Sequence, residues 1–234
     1  MPAGRLVWDK TGERIYETGV DRMVLYRYDA TTKTFKNPVA WNGVTAFNES
    51  PSGAEPTALY ADNIKYLNLM SAEEFGATVE AFTYPPEFEE CDGSATLVKG
   101  VTIGQQTRRG FGLCYRTKVG NDTVGQDLAY KLHLIYGCRA APSERGYETI
   151  NDSPEPITFS WEITTTPVAV TGHTPTASLI IDSRDFDTEA AQAKLKAFEA
   201  ILYGTDATTG DNASEGTNPR LPLPDEVMSL LRVA

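Results

Sequence analysis

The residue types that most often carry protein chemistry are few and scattered in this sequence. It contains two histidines, His133 and His173, and three cysteines, Cys91, Cys114 and Cys138. The cysteines are more than twenty residues apart, which is typical neither of a Cys-x-x-Cys metal site nor of a disulfide framework. Two of them fall within strand-like runs, where a free cysteine behaves as a small core residue. The pattern therefore predicts no metal site.

Candidates for acid–base chemistry are equally isolated. His133 alternates with Leu132 and Leu134, a strand-like pattern, and no partner for its ring is visible in the sequence. We interpret it as a surface histidine or a hydrogen-bonded sheet histidine. Glu89 and Glu90 are adjacent, and neighbours on an extended chain point to opposite faces, so they cannot share one substrate atom.

Ligand-binding loops are also missing from the sequence. Asp182, Asp185 and Asp187 faintly resemble a calcium loop, but Ala190 and Lys196 stand where its glycine and its last glutamate belong. We interpret these aspartates as helix caps. No phosphate-binding Gly-Lys-Ser/Thr loop and no Gly-x-Ser-x-Gly motif occurs. The sequence thus predicts no catalytic residues and no cofactor, and a protein that is not an enzyme.

Composition excludes further classes of protein. The 234 residues carry a net charge of −11, which argues against a protein that binds nucleic acid through its phosphates. No apolar run reaches the roughly 18 residues of a membrane span, and no signal peptide is apparent, so we expect a soluble protein without a membrane partner. The acidity is concentrated, because residues 49–92 contain ten acidic residues and one basic residue, Lys65. The simplest interpretation of that stretch is a solvated acidic face.

Alternating apolar and polar residues dominate the chain and predict a mainly β protein, an antiparallel sandwich or barrel. In residues 157–164, Phe159 and Trp161 share one face with two isoleucines, and polar residues occupy the other. We predict that these two aromatic residues are core anchors. Similar alternation predicts strands within residues 23–28, 77–84, 111–118, 129–136 and 176–181.

Two helices interrupt this pattern. A stripe that includes Leu195 and Phe198 predicts a packed helix over about 187–203, ended by Gly204. We expect both side chains to be core anchors. Pro224, followed by two acidic residues, opens a short C-terminal helix. The polar stretch 205–217 has the composition of a flexible linker, which divides the chain into a β domain (1–204), the linker (205–217) and a C-terminal segment (218–234).

Several long strings closely resemble the major tail tube proteins of bacteriophages with long, non-contractile tails. The strings cover residues 40–56, 60–67, 73–81, 104–106, 111–116, 157–162 and 219–226. The resemblance spans roughly residues 15–204 and resumes near residue 218, and it points to phages of Gram-positive hosts.

The resemblance implies a structural virion protein with a β-sandwich-like tail tube fold. Its copies would form hexameric rings that stack into a tail tube, the conduit for ejection of double-stranded DNA. Implied partners are further copies of the chain, the tape measure protein, the tail terminator, the distal tail protein and DNA in transit without specific binding. The implied location is the virion tail, assembled in the host cytoplasm.

Within this resemblance, two surfaces are assigned to assembly. We expect part of the acidic stretch to line the tube lumen, and the lumen candidates are Glu80, Glu74 and Glu73. Residues 46–61 contain two prolines and a glycine, so we expect an irregular loop that makes subunit contacts together with the C-terminal segment. The contact candidates are Asn48, Pro51, Pro56, Tyr60, Arg220 and Leu223.

Three alternatives remain open at this point. A tube of a phage-tail-like bacteriocin or of a secretion-type particle would share the ring architecture without carrying DNA. A β-sandwich module that binds carbohydrate is a rival from a different class, suggested by eleven tyrosines and three tryptophans.

Overall fold

The structure is a computed structural model that describes residues 5–150, 152, 155–207 and 215–232. In these residues the chain is mainly β and its strands pair antiparallel, which confirms the predicted fold class. The strands are β1 (Ile15–Asp29), β2 (Thr34–Ala40), β3 (Val44–Glu49), β4 (Ser52–Gly53), β5 (Pro56–Ala61), β6 (Ile64–Met70), β7 (Glu73–Glu74), β8 (Gly76–Ala81), β9 (Ala95–Val98), β10 (Val101–Ile103), β11 (Phe111–Asn121), β12 (Gly125–Ala140), β13 (Phe159–Thr165), β14 (Val168–Val170), β15 (His173–Thr176) and β16 (Ser178–Asp182). The α-helices are α1 (Glu89–Asp92), α2 (Glu189–Tyr203) and α3 (Pro224–Leu231), with short 3-10 turns at Pro86–Phe88 and Ser183–Asp185.

One eight-stranded sheet organises the body of the protein. Its hydrogen-bonded order is β2-β1-β11-β12-β13-β8-β3, and β16 pairs with β12 beside this path. Residues 131–135 of β12 pair with β16, whereas residues 138–140 pair with β13. The change of partner occurs at Gly137, which has φ +62° and lies so close to Thr166 that a Cβ would fall 2.1 Å from its carbonyl oxygen. Glycine is therefore required where β12 divides the sheet.

The central strands are buried on both faces, so the body has two hydrophobic cores. One core packs Leu25 and Leu113 against Trp161 and Val79 from the outer strands β13 and β8. The other core packs the opposite faces of β1, β11 and β12 against the helices. Trp161 is 1% exposed, and its ring lies 5.4 Å from that of Trp41. Phe159 is partly buried at the edge of the same core.

Helix α2 covers the second core. Thr188 caps its N-terminus by accepting a hydrogen bond from the backbone N–H of Ala191, and Gly204 ends it. Leu195 and Phe198 lie on the buried face of the helix. This is the packed helix expected over residues 187–203, and the structure also contains the expected terminal helix, α3.

The C-terminal segment packs on the body in residues 215–232. Leu221 is 2% exposed in the second core, and the Tyr136 hydroxyl donates to the Pro222 carbonyl at 2.9 Å. An antiparallel bridge joins Thr205 to Thr217, so the two ends of the expected linker lie side by side. The middle of that linker, residues 208–214, lies outside the described residues. Its predicted flexibility stays a prediction.

Residues 46–61 are not the irregular loop that the sequence suggested. They form strands β3, β4 and β5, which pair antiparallel with β8, β7 and β6 in one long hairpin. The expectation was wrong because the two prolines lie between strands or at the start of a strand, where they do not interrupt strand pairing. Pro51 falls between β3 and β4, and Pro56 is the first residue of β5, a position that proline tolerates.

Candidate functional site

The outer part of the long hairpin extends away from the sheet, and we call residues 50–75 the arm. Strands β5 and β6 pair only with each other in the described residues, through a two-residue turn at Asp62 and Asn63. Both turn residues have positive φ angles, 51° and 63°, as a type I′ turn requires. Asparagine and aspartate tolerate this conformation better than other residues with side chains. The turn fixes the register of the arm.

The arm exposes large apolar side chains on both faces. All seven residues of β6 are exposed. The exposed apolar residues of the arm are Leu59, Tyr60, Ile64, Tyr66, Leu67, Leu69 and Met70. A two-stranded ribbon without a packed face is marginally stable in water, and exposed apolar side chains grouped on such a ribbon are typical of contact sites.

Four of the six contact candidates lie on the first half of the hairpin, which consists of β3, β4 and β5. Asn48 is near the end of β3, Pro51 and Pro56 flank β4, and Tyr60 lies near the tip with 72% of its surface exposed. All four are exposed.

The other two contact candidates lie on the body, on the helical side of the sheet. The Arg220 guanidinium forms an ion pair with Glu226, with a 2.7 Å bond from Nη1 to Oε2, and its backbone N–H donates to the Ile201 carbonyl. Leu223 is 36% exposed and precedes helix α3. The structure does not bring this pair together with the arm, and the contact role of all six residues stays a prediction.

The lumen candidates lie on the second half of the hairpin, in β7 and β8. Glu73 and Glu74 form β7 at the root of the arm and are exposed. Glu80 lies in β8 and is half-buried, on the opposite face from the buried Val79 and Ala81, as the alternation suggested. Which of these faces lines a lumen stays a prediction.

The acidic stretch 49–92 is not one continuous surface. At its end, Glu90 binds Arg109 at 2.8 Å and lies 3.6 Å from Arg27. Asp92 is 8% exposed and forms ion pairs with Arg145 and Arg108. Nearby arginines therefore balance these two acids, whereas no cation is paired with the acids of the arm in the described residues.

A cleft of about 510 Å³ opens where the hairpin joins the body, and we call it the base cleft. Its polar groups come from four separate strands, β1, β3, β11 and β12. The lining includes Glu17, Val20, Phe47, Glu49, Tyr115, Thr117, Lys131, His133 and Ile180. Residues this far apart in sequence meet because β1, β11, β12 and β16 are neighbours in the sheet and β3 returns over their face.

His133 is the buried centre of the base cleft. It is 6% exposed, and its ring stacks on Tyr115 with centroids 4.5 Å apart and planes 5° apart. The expectation of a surface histidine was wrong, whereas that of a hydrogen-bonded sheet histidine holds in part, because Nε2 bonds to Thr117 but the buried Nδ1 has no hydrogen-bond partner. Sequence alternation placed His133 in a strand but gave no sign of the side chains that cover it.

A chain of hydrogen bonds fixes which nitrogen of the His133 ring carries the proton. The Thr117 hydroxyl donates to Glu17 at 2.6 Å, because a carboxylate can only accept. The hydroxyl oxygen therefore accepts from His133 Nε2, at 2.9 Å. In the neutral ring this leaves Nδ1 as an unpaired acceptor, 3.9 Å from the Glu49 carboxylate.

Burial and the neighbouring carboxylates have opposite effects on the pKa of the His133 ring. Burial lowers the pKa of His133 below its ordinary value of 6.5, although the carboxylates of Glu49 and Glu17 oppose this. Burial also acts on Glu17, but its hydrogen bonds from Lys131, at 2.6 Å, and from Thr117 hold its pKa below the usual 4.5. At neutral pH the ring is therefore uncharged, between two carboxylates.

In the described residues, the base cleft does not have the ligand set of a metal centre. No group of three or more potential metal ligands converges in the described residues. Glu17 approaches Nε2 and Glu49 approaches Nδ1, so the two carboxylates lie at different edges of the ring and cannot chelate one ion. The three cysteines are buried and free. What the base cleft offers is a pair of hydrogen-bond acceptors.

Within the part of the chain that the structure describes, no helix combines the length and apolar character of a membrane span. A comparison with protein-family models finds no match, and neither does a comparison with curated proteins. Among solved structures, the chain is similar to one from the cryo-EM structure of the anti-feeding prophage (AFP) baseplate, 6-fold symmetrised. The TM-score is 0.35 at 8% identity, over 75% of this chain and 97% of that chain. This likeness is distant, and the function proposed below rests on the residues of this chain.

Proposed function

We propose that this protein is a structural subunit that polymerises into a tail tube. The observation that carries the proposal is the arm, a ribbon whose large apolar side chains are left exposed by the described part of their own chain. Exposed apolar surface of this kind is stabilised when another molecule covers it. A homopolymer supplies that cover, because each copy can contribute one arm and cover another.

The edges of the sheet support the same proposal. In the described residues, β3 and β16 each pair on one side only, and the outer edge of β2 meets only an isolated bridge between Phe35 and Leu221, which leaves unpaired backbone groups. Joining such edges between subunits closes a sheet into a continuous barrel and removes the exposed edges. The resemblance to tail tube proteins gives this assembly a specific form, a stack of hexameric rings.

The finer parts of the proposal follow from that resemblance. The tube conducts double-stranded DNA without binding it specifically, and it lies in a virion between the tail terminator and the distal tail protein, around the tape measure protein. A tube of a bacteriocin-like or secretion-type particle has the same geometry without DNA. In each case the subunit has a structural role and no catalytic one.

Electron microscopy tests the proposal. The full chain is concentrated and examined by negative stain, with sedimentation velocity in parallel. We expect rings or tubes that appear above a critical concentration. A strictly monodisperse monomer at every concentration would contradict the proposal and favour a β-sandwich binding module.

A variant with a shortened arm provides the matched control. Replacing residues 54–72 by Asn-Gly joins Gly53 to Glu73, which already face each other across the hairpin, through a two-residue turn of a favoured type. We expect a folded monomer that forms no tubes. Normal tubes from this variant would show that the arm is not the assembly element.

A further inference from the structure

In the described residues, the base cleft contains one acceptor without a donor and a carboxylate that accepts a single hydrogen bond. The Nδ1 atom of His133 is buried without a partner, and the Glu49 carboxylate lies 3.9 Å away. Glu49 accepts one hydrogen bond, from the Tyr115 hydroxyl at 2.7 Å, and no lysine or arginine in the described residues is paired with it. A buried acceptor without a donor is costly, so the site favours any group that supplies a hydrogen bond.

A primary ammonium group fits these two acceptors. It has three N–H donors and a positive charge, so it can bond to Nδ1 and to the carboxylate at once. A charge-assisted bond to a carboxylate is stronger than a neutral one. Val20, Phe47 and the 54%-exposed Ile180 line the same cleft and provide an apolar wall for the stem of a lysine side chain.

The arm carries one lysine, Lys65, in a matching setting. It is exposed and has no ion pair, and it is the single basic residue of residues 49–92. Leu67 and Leu69 follow at two-residue intervals, so they share its face of β6. The arm thus presents a cation followed by an apolar stripe, and the base cleft presents acceptors beside an apolar wall.

Lys65 does not reach the cleft of its own chain. It pairs with Tyr60, which lies eleven positions after Glu49 along the hairpin. At about 3.3 Å per residue, eleven positions of extended chain span up to roughly 36 Å, and Lys65 is not among the residues that line the base cleft. A lysine side chain is far shorter than this distance, so the contact requires a second molecule.

We propose that Lys65 at the tip of one arm binds between His133 and Glu49 in the base cleft of another copy of this chain. The inference rests on the proposed polymer and identifies the contact that joins successive subunits. The ammonium donates to the Glu49 carboxylate and, once the side chains that cover it move aside, to His133 Nδ1, while Leu67 and Leu69 approach the apolar wall. Each copy both donates an arm and receives one, as a heterologous assembly requires.

Zero-length cross-linking tests the contact directly. Tubes are assembled from a mixture of ¹⁴N- and ¹⁵N-labelled chains and treated with a carbodiimide, which joins a lysine amine to a carboxylate in contact with it. We expect a mixed-isotope peptide pair that links Lys65 to Glu49. Mixed pairs elsewhere in the tube without this one would overturn the inference.

Charge substitutions test its energetic role. We expect Lys65→Gln and Glu49→Gln each to raise the critical concentration for tubes about tenfold, which corresponds to about 1.4 kcal/mol. Lys33→Gln, at an exposed turn on the body, removes the same charge and serves as the control. The exchange Lys65→Glu with Glu49→Lys restores assembly relative to either single reversal.

The outcomes separate this inference from the proposed function. If Lys65→Gln polymerises like Lys33→Gln, the tubes are real and the contact is wrong. If the wild-type chain never polymerises, the proposed function fails and the contact fails with it. Because Lys65 is exposed in the monomer, loss of folding does not confuse the result, and the thermal unfolding midpoint of each variant checks this.

Discussion

His133 is expected to make the stability of the folded protein depend on pH. The unfolded chain binds a proton at this residue below about pH 6.5, whereas the folded state resists protonation because burial lowers the pKa of the ring. The free energy of unfolding is therefore unaffected by this residue's protonation above about pH 6.5, and it decreases as the pH falls below that value. The slope for one proton is at most about 1.4 kcal/mol per pH unit.

Denaturant unfolding between pH 8 and pH 5 measures this dependence. We expect the free energy of unfolding of the wild-type monomer to fall with pH more steeply than that of His133→Gln. His173→Gln is the control, because His173 is exposed on β15. Parallel curves for the wild type and His133→Gln would show that the ring does not titrate differently in the folded state.

Trp161 makes a second prediction at the residue scale. Its ring packs between Trp41, Phe88 and Tyr84 in the first core, with ring centroids 5.2–5.5 Å away. Trp161→Ala should reduce the free energy of unfolding by about 3–5 kcal/mol, because it leaves a large cavity. Tyr66→Ala, on the exposed arm, should change monomer stability by no more than about 0.5 kcal/mol. An unchanged denaturation midpoint for Trp161→Ala would contradict the packing.

At the scale of elements, the C-terminal segment stabilises the fold of its own chain. Leu221 fills the space above Gly112, where a Cβ would fall 2.6 Å from the leucine Cδ2. We therefore expect Leu221→Ala to destabilise the monomer by about 2–5 kcal/mol. The buried Leu221 and Val227 also predict that removal of residues 218–234 destabilises the monomer.

Leu223→Ala separates folding from assembly in the same segment. Leu223 is 36% exposed, so its truncation should change monomer stability by about 0.5 kcal/mol or less. Because it is a contact candidate, the same substitution should raise the critical concentration for tubes. Chemical denaturation and sedimentation velocity on one preparation measure both. A large loss of stability would place Leu223 in the core and remove it from the contact candidates.

The elements differ in how far the sequence could predict them. Strands such as β13 and β11 have one or both faces buried by their own chain, so burial selects an alternating or continuous apolar pattern that can be read directly. The arm has no buried face in the monomer, and its apolar residues, such as Tyr66 and Met70, follow no such pattern. In the sequence, the pair Asp62-Asn63 indicates a hairpin turn, whereas Pro51 and Pro56 favour an irregular loop.

The base cleft could not be predicted for a different reason. Glu17, Glu49 and His133 meet through the pairing of strands that are distant in sequence, and no local pattern reports such pairing. The sequence identified His133 as a strand residue and Glu49 as the first acid of an acidic stretch. Their proximity depends on the position of β3 over the central sheet, which is a property of the whole fold.

At the scale of the whole molecule, the subunit divides into a body with two cores and an arm without one. The body is stabilised by its own contacts, whereas in the proposed assembly the arm is stabilised by the molecule that covers it. This division separates the effects of mutations. Substitutions in the cores change folding, and substitutions on the arm change assembly, so measurements on monomer and polymer together assign each residue.

The same division leads to a prediction about the acidic residues. The ion pairs of Glu90 and Asp92 balance two acids at the end of the acidic stretch, so its remaining negative charge lies on the arm, on Glu80 of β8 and on Glu49, Glu87 and Glu89. Glu80 and Glu74 have no cationic partner in the described residues. If they line the tube, each ring adds a further layer of negative charge to the wall. Such a wall repels the phosphates of DNA in transit.

Charge reversal tests this placement more sharply than neutralisation. Single repulsions across a wet channel are weak, and salt screens them within about 8–10 Å, so the effect depends on repetition along the tube. Particles with Glu80→Lys and Glu74→Lys should assemble normally but release DNA slowly, because rings of lysine bind phosphates and release counterions at every layer. The defect should ease as the salt concentration rises. Particles with Lys33→Glu, on the body, control for surface charge, and wild-type release from the double lysine variant would place both acids outside the lumen.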